Sequence, residues 1–137
     1  MLGGDVRVKG FSLIELLVVI GIVAVLNIAI FPKFSAIQTT AKEISAKSSA
    51  RTIMIALEQY YFLYQEYPNG TSTNIYSLVQ QLSVEDLIQS DPINPFTGQR
   101  YSLSDSSGKI LYTRISQDDY QLIGYGVSNE NIIFEYP

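Results

Sequence analysis

The chain has 137 residues, nine basic and thirteen acidic, for a net charge of −4, with no cysteine and no histidine. That length holds one ordinary domain, and the missing residue types remove disulfides, thiolate chemistry, the commonest general base and the commonest metal ligand. An acidic surface is also a poor match for nucleic acid, whose binding needs basic side chains to release counterions, so no direct nucleic-acid contact is expected.

Residues 1–10 form a short leader holding Arg7, Lys9 and Asp5; without it the charges fall to seven basic and twelve acidic, or −5. Residues 10–32 then read GFSLIELLVVIGIVAVLNIAIFP. As a helix, residues 11–31 would span about 30 Å, one bilayer core. The stretch is longer than the apolar part of an ordinary signal peptide, and no small-x-small cleavage pattern follows it. Basic residues before the run place the N-terminus in the cytoplasm and everything after Lys33 outside. Gly21 and Pro32 are the expected bend points, because proline removes a backbone donor and crowds the preceding turn. Glu15 is the anomaly. A carboxylate in hydrocarbon costs roughly 2.5–3.5 kcal/mol near a helix centre, so it needs a partner, or else it snorkels near a helix end.

A basic leader ending in Gly10, followed by Phe11, Glu15 and Pro32 in that register, resembles the N-terminus of type IV pilins and type II secretion pseudopilins. The resemblance covers about residues 9–34. It implies cleavage between Gly10 and Phe11 by a prepilin peptidase, and N-methylation of Phe11 by the methyltransferase activity that accompanies it. It also implies that Glu15 meets the free amine of Phe11 on a neighbouring subunit. The physics is consistent with this, since a buried carboxylate is tolerated beside a cation and an α-amino group is charged at neutral pH.

Between residues 33 and 65 the pattern becomes that of an amphipathic helix. Phe34, Ile37, Ala41 and Ile44, then Ala50, Ile53, Leu57, Tyr61 and Tyr64, form a stripe interrupted around Ser48, expected to lie on the C-terminal domain. Residues 53–57 are apolar on more than one face, which buried core would explain. Tyr60, Tyr61, Tyr64 and Tyr67 gather at the end of the helix; packing is a simpler reading of these rings than the electron conduction proposed for some filaments of this type. YPNG at residues 67–70 is expected to end the helix, with Pro68 as breaker. Asn69-Gly70-Thr71 fits a glycosylation sequon and is read as chance.

Residues 74–89 read as one or two short helices, with a second N-terminus at residues 83–86. DPINPFTGQRY at residues 91–101 predicts extended and turn geometry and resembles the loop that precedes the sheet in pseudopilins. Strands are expected at residues 101–103, 110–114, 120–125 and 132–136, with turns at 105–108, 117–119 and 128–129. Asp118 and Asp119 read as turn residues. The calcium site of major pseudopilins has no clustered acidic counterpart in a tail offering Glu130, Glu135, Asn129 and Asn131. The disulfide-bounded loop of the family is absent with the cysteines.

The expected fold is α+β: a leader at residues 1–10, a membrane-spanning assembly helix at 11–32 and an extracytoplasmic domain at 33–137. In that domain an amphipathic helix (33–65) and short helices (74–89) cover an antiparallel sheet of three or four strands (100–136). The resemblance implies a non-enzymatic structural subunit with no cofactor and no metal. Its partners would be membrane lipid, the prepilin peptidase, an inner-membrane assembly platform, further copies of itself and other pilins or pseudopilins. It would pass from the inner membrane into a periplasmic or surface filament. The competing reading is a permanently anchored extracytoplasmic binding domain that never assembles.

Overall fold

The computed structural model describes residues 10–128 and 130–137, except for the side chains of residues 29–32. Residues 1–9 of the expected leader, with Arg7 and Lys9, lie outside the described residues, as do the Pro32 side chain and Asn129 of the expected final turn. The chain divides into two compact units, residues 1–38 and 39–137. Helix α1 (Leu13–Tyr64, 52 residues) begins in the first and ends in the second.

In the second unit α1 is joined by helix α2 (Ile75–Val84) and six short strands: β1 (Thr73–Asn74), β2 (Ile93–Asn94), β3 (Gln99–Arg100), β4 (Ile110–Ser116), β5 (Asp119–Tyr125) and β6 (Ile132–Tyr136). A four-stranded antiparallel sheet runs β1-β4-β5-β6, and β2 and β3 form a separate hairpin. The fold is α+β, a long helix packed against a small antiparallel sheet.

Alternation decides which sheet face is buried. Ile110 and Tyr112 of β4, Tyr120 and Leu122 of β5 and Phe134 of β6 are in the core. They meet Ala46, Ala50, Ile53 and Leu57 of α1 and Ile75, Leu78 and Leu82 of α2. The alanines at 46 and 50 are fully buried on that face of the helix. Gly124 sits opposite Ile110 on one side and Phe134 on the other. A β-carbon there would fall 2.2 Å from the Phe134 ring, so the glycine makes room for that ring.

The apolar stripe differs from the expected one. Its buried part begins at Ala46, whereas Phe34, Ile37 and Ile44 are more than half exposed. The interruption near Ser48 is a change of face: at 100° per residue, Ile44 and Ile53 lie on opposite sides of the helix. Ile55, expected in the core, is 62% exposed for the same reason.

Other boundaries move as well. Helix α1 stops at Tyr64, before YPNG, where Gln65 takes a left-handed φ of 58° and donates its N–H to the Tyr61 carbonyl at 2.8 Å. Residues 83–86 end α2 and start no second helix. Asp86 (φ 58°) donates to the Ser83 carbonyl at 3.1 Å and Leu87 to the Leu82 carbonyl at 3.1 Å, the paired bonds of a Schellman termination with aspartate in glycine's usual place. Residues 101–103 are not a strand. Asp105 accepts from the Ser102 N–H at 3.0 Å, and this side-chain bond competes with ladder pairing. The fully buried Asn94 fastens the same loop, donating to Asp105 at 3.1 Å and to the Ser107 carbonyl at 2.8 Å. The hairpin at 93–100 and the β4–β5 turn fall where the sequence places turns.

Candidate processing and assembly site

Gly10, Phe11 and Ser12 precede α1 and are exposed, Phe11 at 85%. Ser12 is the N-cap, and the helix starts at Leu13. The Glu15 backbone N–H donates to Ser12 Oγ at 3.3 Å, and the Ser12 backbone N–H donates to Glu15 Oε2 at 2.9 Å. These reciprocal bonds form a capping box, which satisfies two donors that a helix start leaves without intrahelical partners. Glu15 therefore already has a partner inside its own chain. The signal was present in the sequence as Ser12-x-x-Glu15 ahead of an apolar run, the pattern that marks a capping box. A carboxylate in the first turn also suits the positive end of the helix dipole.

Beyond Glu15 the helix is apolar all round. Every large apolar residue from Phe11 to Ile28 is at least 50% exposed, so none of the described residues of the unit covers this surface. An all-round apolar helix is stable in lipid or inside a bundle of others. Its polar interruption is self-satisfied, because Asn27 Nδ2 donates back to the Val23 carbonyl at 2.6 Å. At Gly21 a β-carbon would meet nothing within 4 Å. The missing side chain leaves a shallow groove bordered by Val18, Ile22, Val25 and Leu26. Among the described residues no single helix is long and apolar enough to cross a membrane; Leu13–Ile28 and Lys33–Tyr64 pass that test together, by length and composition.

The tyrosines of the second unit are built into its structure. Tyr61 stacks on Tyr67 at 4.8 Å, Tyr67 meets the edge of Tyr120 at 4.6 Å, and Tyr120 lies 6.0 Å from Tyr112. Tyr61 donates to Asp118 at 2.7 Å, Tyr67 to Glu58 at 3.0 Å, and Tyr64 to Glu85. Burial, then Glu58 and Asp119, pushes Tyr120 up to about 12. Burial foremost raises Tyr67, Tyr101 and Tyr112 as well, whereas the hydrogen bond to Asp118 is the main cause for Tyr61. Tyr112 also ties the loop after α1 to the sheet through the Pro68 carbonyl at 2.7 Å, and Arg114 holds the Tyr67 carbonyl at 2.8 Å. Asp118 is thus a hydrogen-bonded turn residue, and Glu135 accepts from Gln121 at 2.7 Å. No group of three or more acidic side chains able to hold a metal ion occurs among the described residues.

Residues 6–31 match the family model described as the prokaryotic N-terminal methylation motif. No curated protein and no solved structure matches the chain.

Proposed function

From a chain that carries the prokaryotic N-terminal methylation motif, the signature of pilins and pseudopilins, we propose a structural subunit of a type IV pilus-like filament or secretion pseudopilus. The motif marks a processed protein of pilin type and carries the reading. In detail, the precursor inserts in the inner membrane, is cut between Gly10 and Phe11 and is methylated on Phe11. It then enters a helical assembly through its apolar helix. Its chemistry is association, not turnover. Two features support the reading: the expected cut lies in exposed backbone ahead of the helix, and the apolar surface of residues 11–28 needs lipid or sister helices to cover it. Glu15 exchanges its bond to Ser12 for the amine of Phe11 on a neighbour, a charged donor that a desolvated carboxylate favours. Gly21 and Pro32 are where the helix yields during assembly.

Intact mass of the protein from sheared surface material and from membranes tests this. A mass lacking residues 1–10 and gaining one methyl group in the sheared fraction is expected for a surface filament. The same mass confined to membranes indicates a pseudopilin or minor subunit. An unprocessed mass in cells with a competent peptidase overturns the reading in favour of a permanently anchored domain.

A further inference from the structure

Charge is distributed unevenly along the chain. Residues 33–51 carry Lys33, Lys42, Lys47 and Arg51 against Glu43, or +3, whereas residues 52–137 carry three basic and ten acidic residues, or −7. In the second unit, Lys42, Lys47 and Arg51 all stand on α1, and none forms an ion pair among the described residues. Lys42 and Arg51 are exposed and Lys47 is half-buried. The face of the helix between them is apolar. Ala41, Ile44, Ile55 and Phe62 are all exposed, Ile44 at 63%, Ile55 at 62% and Phe62 at 79%. At 100° per residue these four fall within about 60° of one another, on the side away from the buried Ala46, Ala50, Ile53 and Leu57. Lys42 borders this stripe on one side, Lys47 and Arg51 on the other. A shallow groove bordered by Arg51, Met54, Ile55 and Glu58 continues it, and the Glu58 carboxylate there already accepts from the Tyr67 hydroxyl at 3.0 Å.

An exposed apolar stripe with basic side chains on both borders is the pattern of a helix lying in a membrane interface. Its apolar face enters the acyl boundary, and the Lys and Arg stems reach up to the phosphates. We propose that residues 41–62 dock on anionic phospholipid headgroups at the surface of the membrane. The inference rests on the membrane-inserted precursor of the proposed function. Two observations choose lipid as the occupant. The stripe begins ten residues after the apolar run ends at residue 31, so the run tethers it at the leaflet and makes the contact effectively intramolecular. The stripe also needs apolar cover and anions together, and an anionic leaflet offers both at every point. The acidic remainder of the domain is repelled by the same headgroups, which leaves one docked orientation, with the basic face of the helix toward the membrane.

The chain has no cysteine, so a single spin label reports the depth of one residue. Full-length protein is reconstituted as I44C, I55C, L17C and L103C, with the fold of each checked by near-ultraviolet circular dichroism. The vesicles are phosphatidylcholine alone, or phosphatidylcholine with phosphatidylglycerol. Leu17 lies in the apolar run, and Leu103 is exposed in the domain. Accessibility to oxygen against a water-soluble nickel complex is expected to place labels 44 and 55 at the acyl boundary in the anionic vesicles and in water in the neutral ones, with label 103 in water in both. Lys42→Gln or Arg51→Gln lowers the docked-to-free ratio about fivefold, the worth of one basic residue at an anionic surface, and high salt lowers it too. Labels 44 and 55 that stay in water while label 17 is in hydrocarbon overturn the inference and leave the membrane reading standing. A label 17 that is in water removes the membrane reading first, and this inference with it. Equal shielding in neutral vesicles overturns the part given to anionic lipid. Shielding that disappears when the protein is diluted in lipid puts a second copy on the face and overturns the lipid occupant.

Discussion

The first and second parts of α1 bury apolar surface by different means. From Phe11 to Ile28 large apolar side chains surround the helix, each at least half exposed. From Ala46 to Leu57 the buried residues keep to one face and meet a sheet and a second helix of the same chain. The second region contains what makes it fold, since its core residues reach 0% exposure. The first gains helical stability only when something outside the chain removes its surface from water. The proposed passage from lipid into a filament would suit this division, because the domain would not need to unfold while the helix changed surroundings.

Leu57→Ala gives the largest contrast. Leu57 is fully buried, and its truncation should destabilise the domain by about 2–5 kcal/mol. Leu17→Ala, in the apolar run, should leave the thermal midpoint of the domain unchanged in detergent-solubilised full-length protein, monitored by near-ultraviolet circular dichroism. Equal losses from both would show that the two regions fold as one cooperative unit.

The sequence made some of this contrast legible and hid the rest, for physical reasons. The three long strands were readable, because short alternating runs bounded by turn residues mark them locally. The change of face near Ser48 was not. Apolar residues continue on either side of it, and only the phase, Ile44 against Ala46, shows that two stripes exist. The capping box is written in the sequence as Ser12-x-x-Glu15, but the same glutamate also reads as a charge in an apolar run, and that pattern masks its part as the N3 partner of Ser12. The loop wired by Asn94 and Asp105 was hidden in another way. Its bonds join residues eleven and thirteen positions apart, Asn94 with Asp105 and with Ser107, and no local pattern announces them.

Alkaline titration should also separate the regions, since the buried tyrosines all lie in the domain. Tyr120, at about 12 against an ordinary value of 10, is raised by burial, and Tyr101 and Tyr112 are raised too. A folded-state value above the unfolded one means the contribution is complete below about pH 10 and is lost as pH rises through 12. The domain midpoint should therefore hold from neutral pH to about 9.5 and fall steeply above 10, while helicity of the apolar run in detergent persists. A midpoint that is flat through pH 11 would show that the rings ionise without opening the core.

Within the domain, two buried hydroxyls should behave differently. Tyr112 donates to the Pro68 carbonyl, so Tyr112→Phe leaves a buried acceptor unpaired and should cost about 1–3 kcal/mol. The Tyr101 hydroxyl is buried with no protein partner among the described residues, so Tyr101→Phe should cost less. Chemical denaturation of the pair of variants ranks them. A reversed ranking would mean that the loop after α1 is not held by the sheet.

The smallest effect on stability is expected at Glu15, which caps the helix and is proposed to meet a neighbour's amine. Ser12→Ala removes the acceptor for the Glu15 N–H and should fray the first turn by about 0.5–2 kcal/mol, a roughly two- to thirtyfold faster amide exchange at residues 13–16 in micelles. Glu15→Gln keeps an oxygen for the Ser12 N–H and so keeps most of the cap, but it carries no charge to meet an amine. If capping were the whole purpose of Glu15, the glutamine variant would reach the cell surface in sheared filaments as the parent does. The expected result is the reverse: normal exchange protection, normal removal of residues 1–10, and no filaments. On the proposed filament reading the cap would hold the carboxylate at the start of the helix for a neighbour's amine, and only a charged carboxylate would favour that exchange.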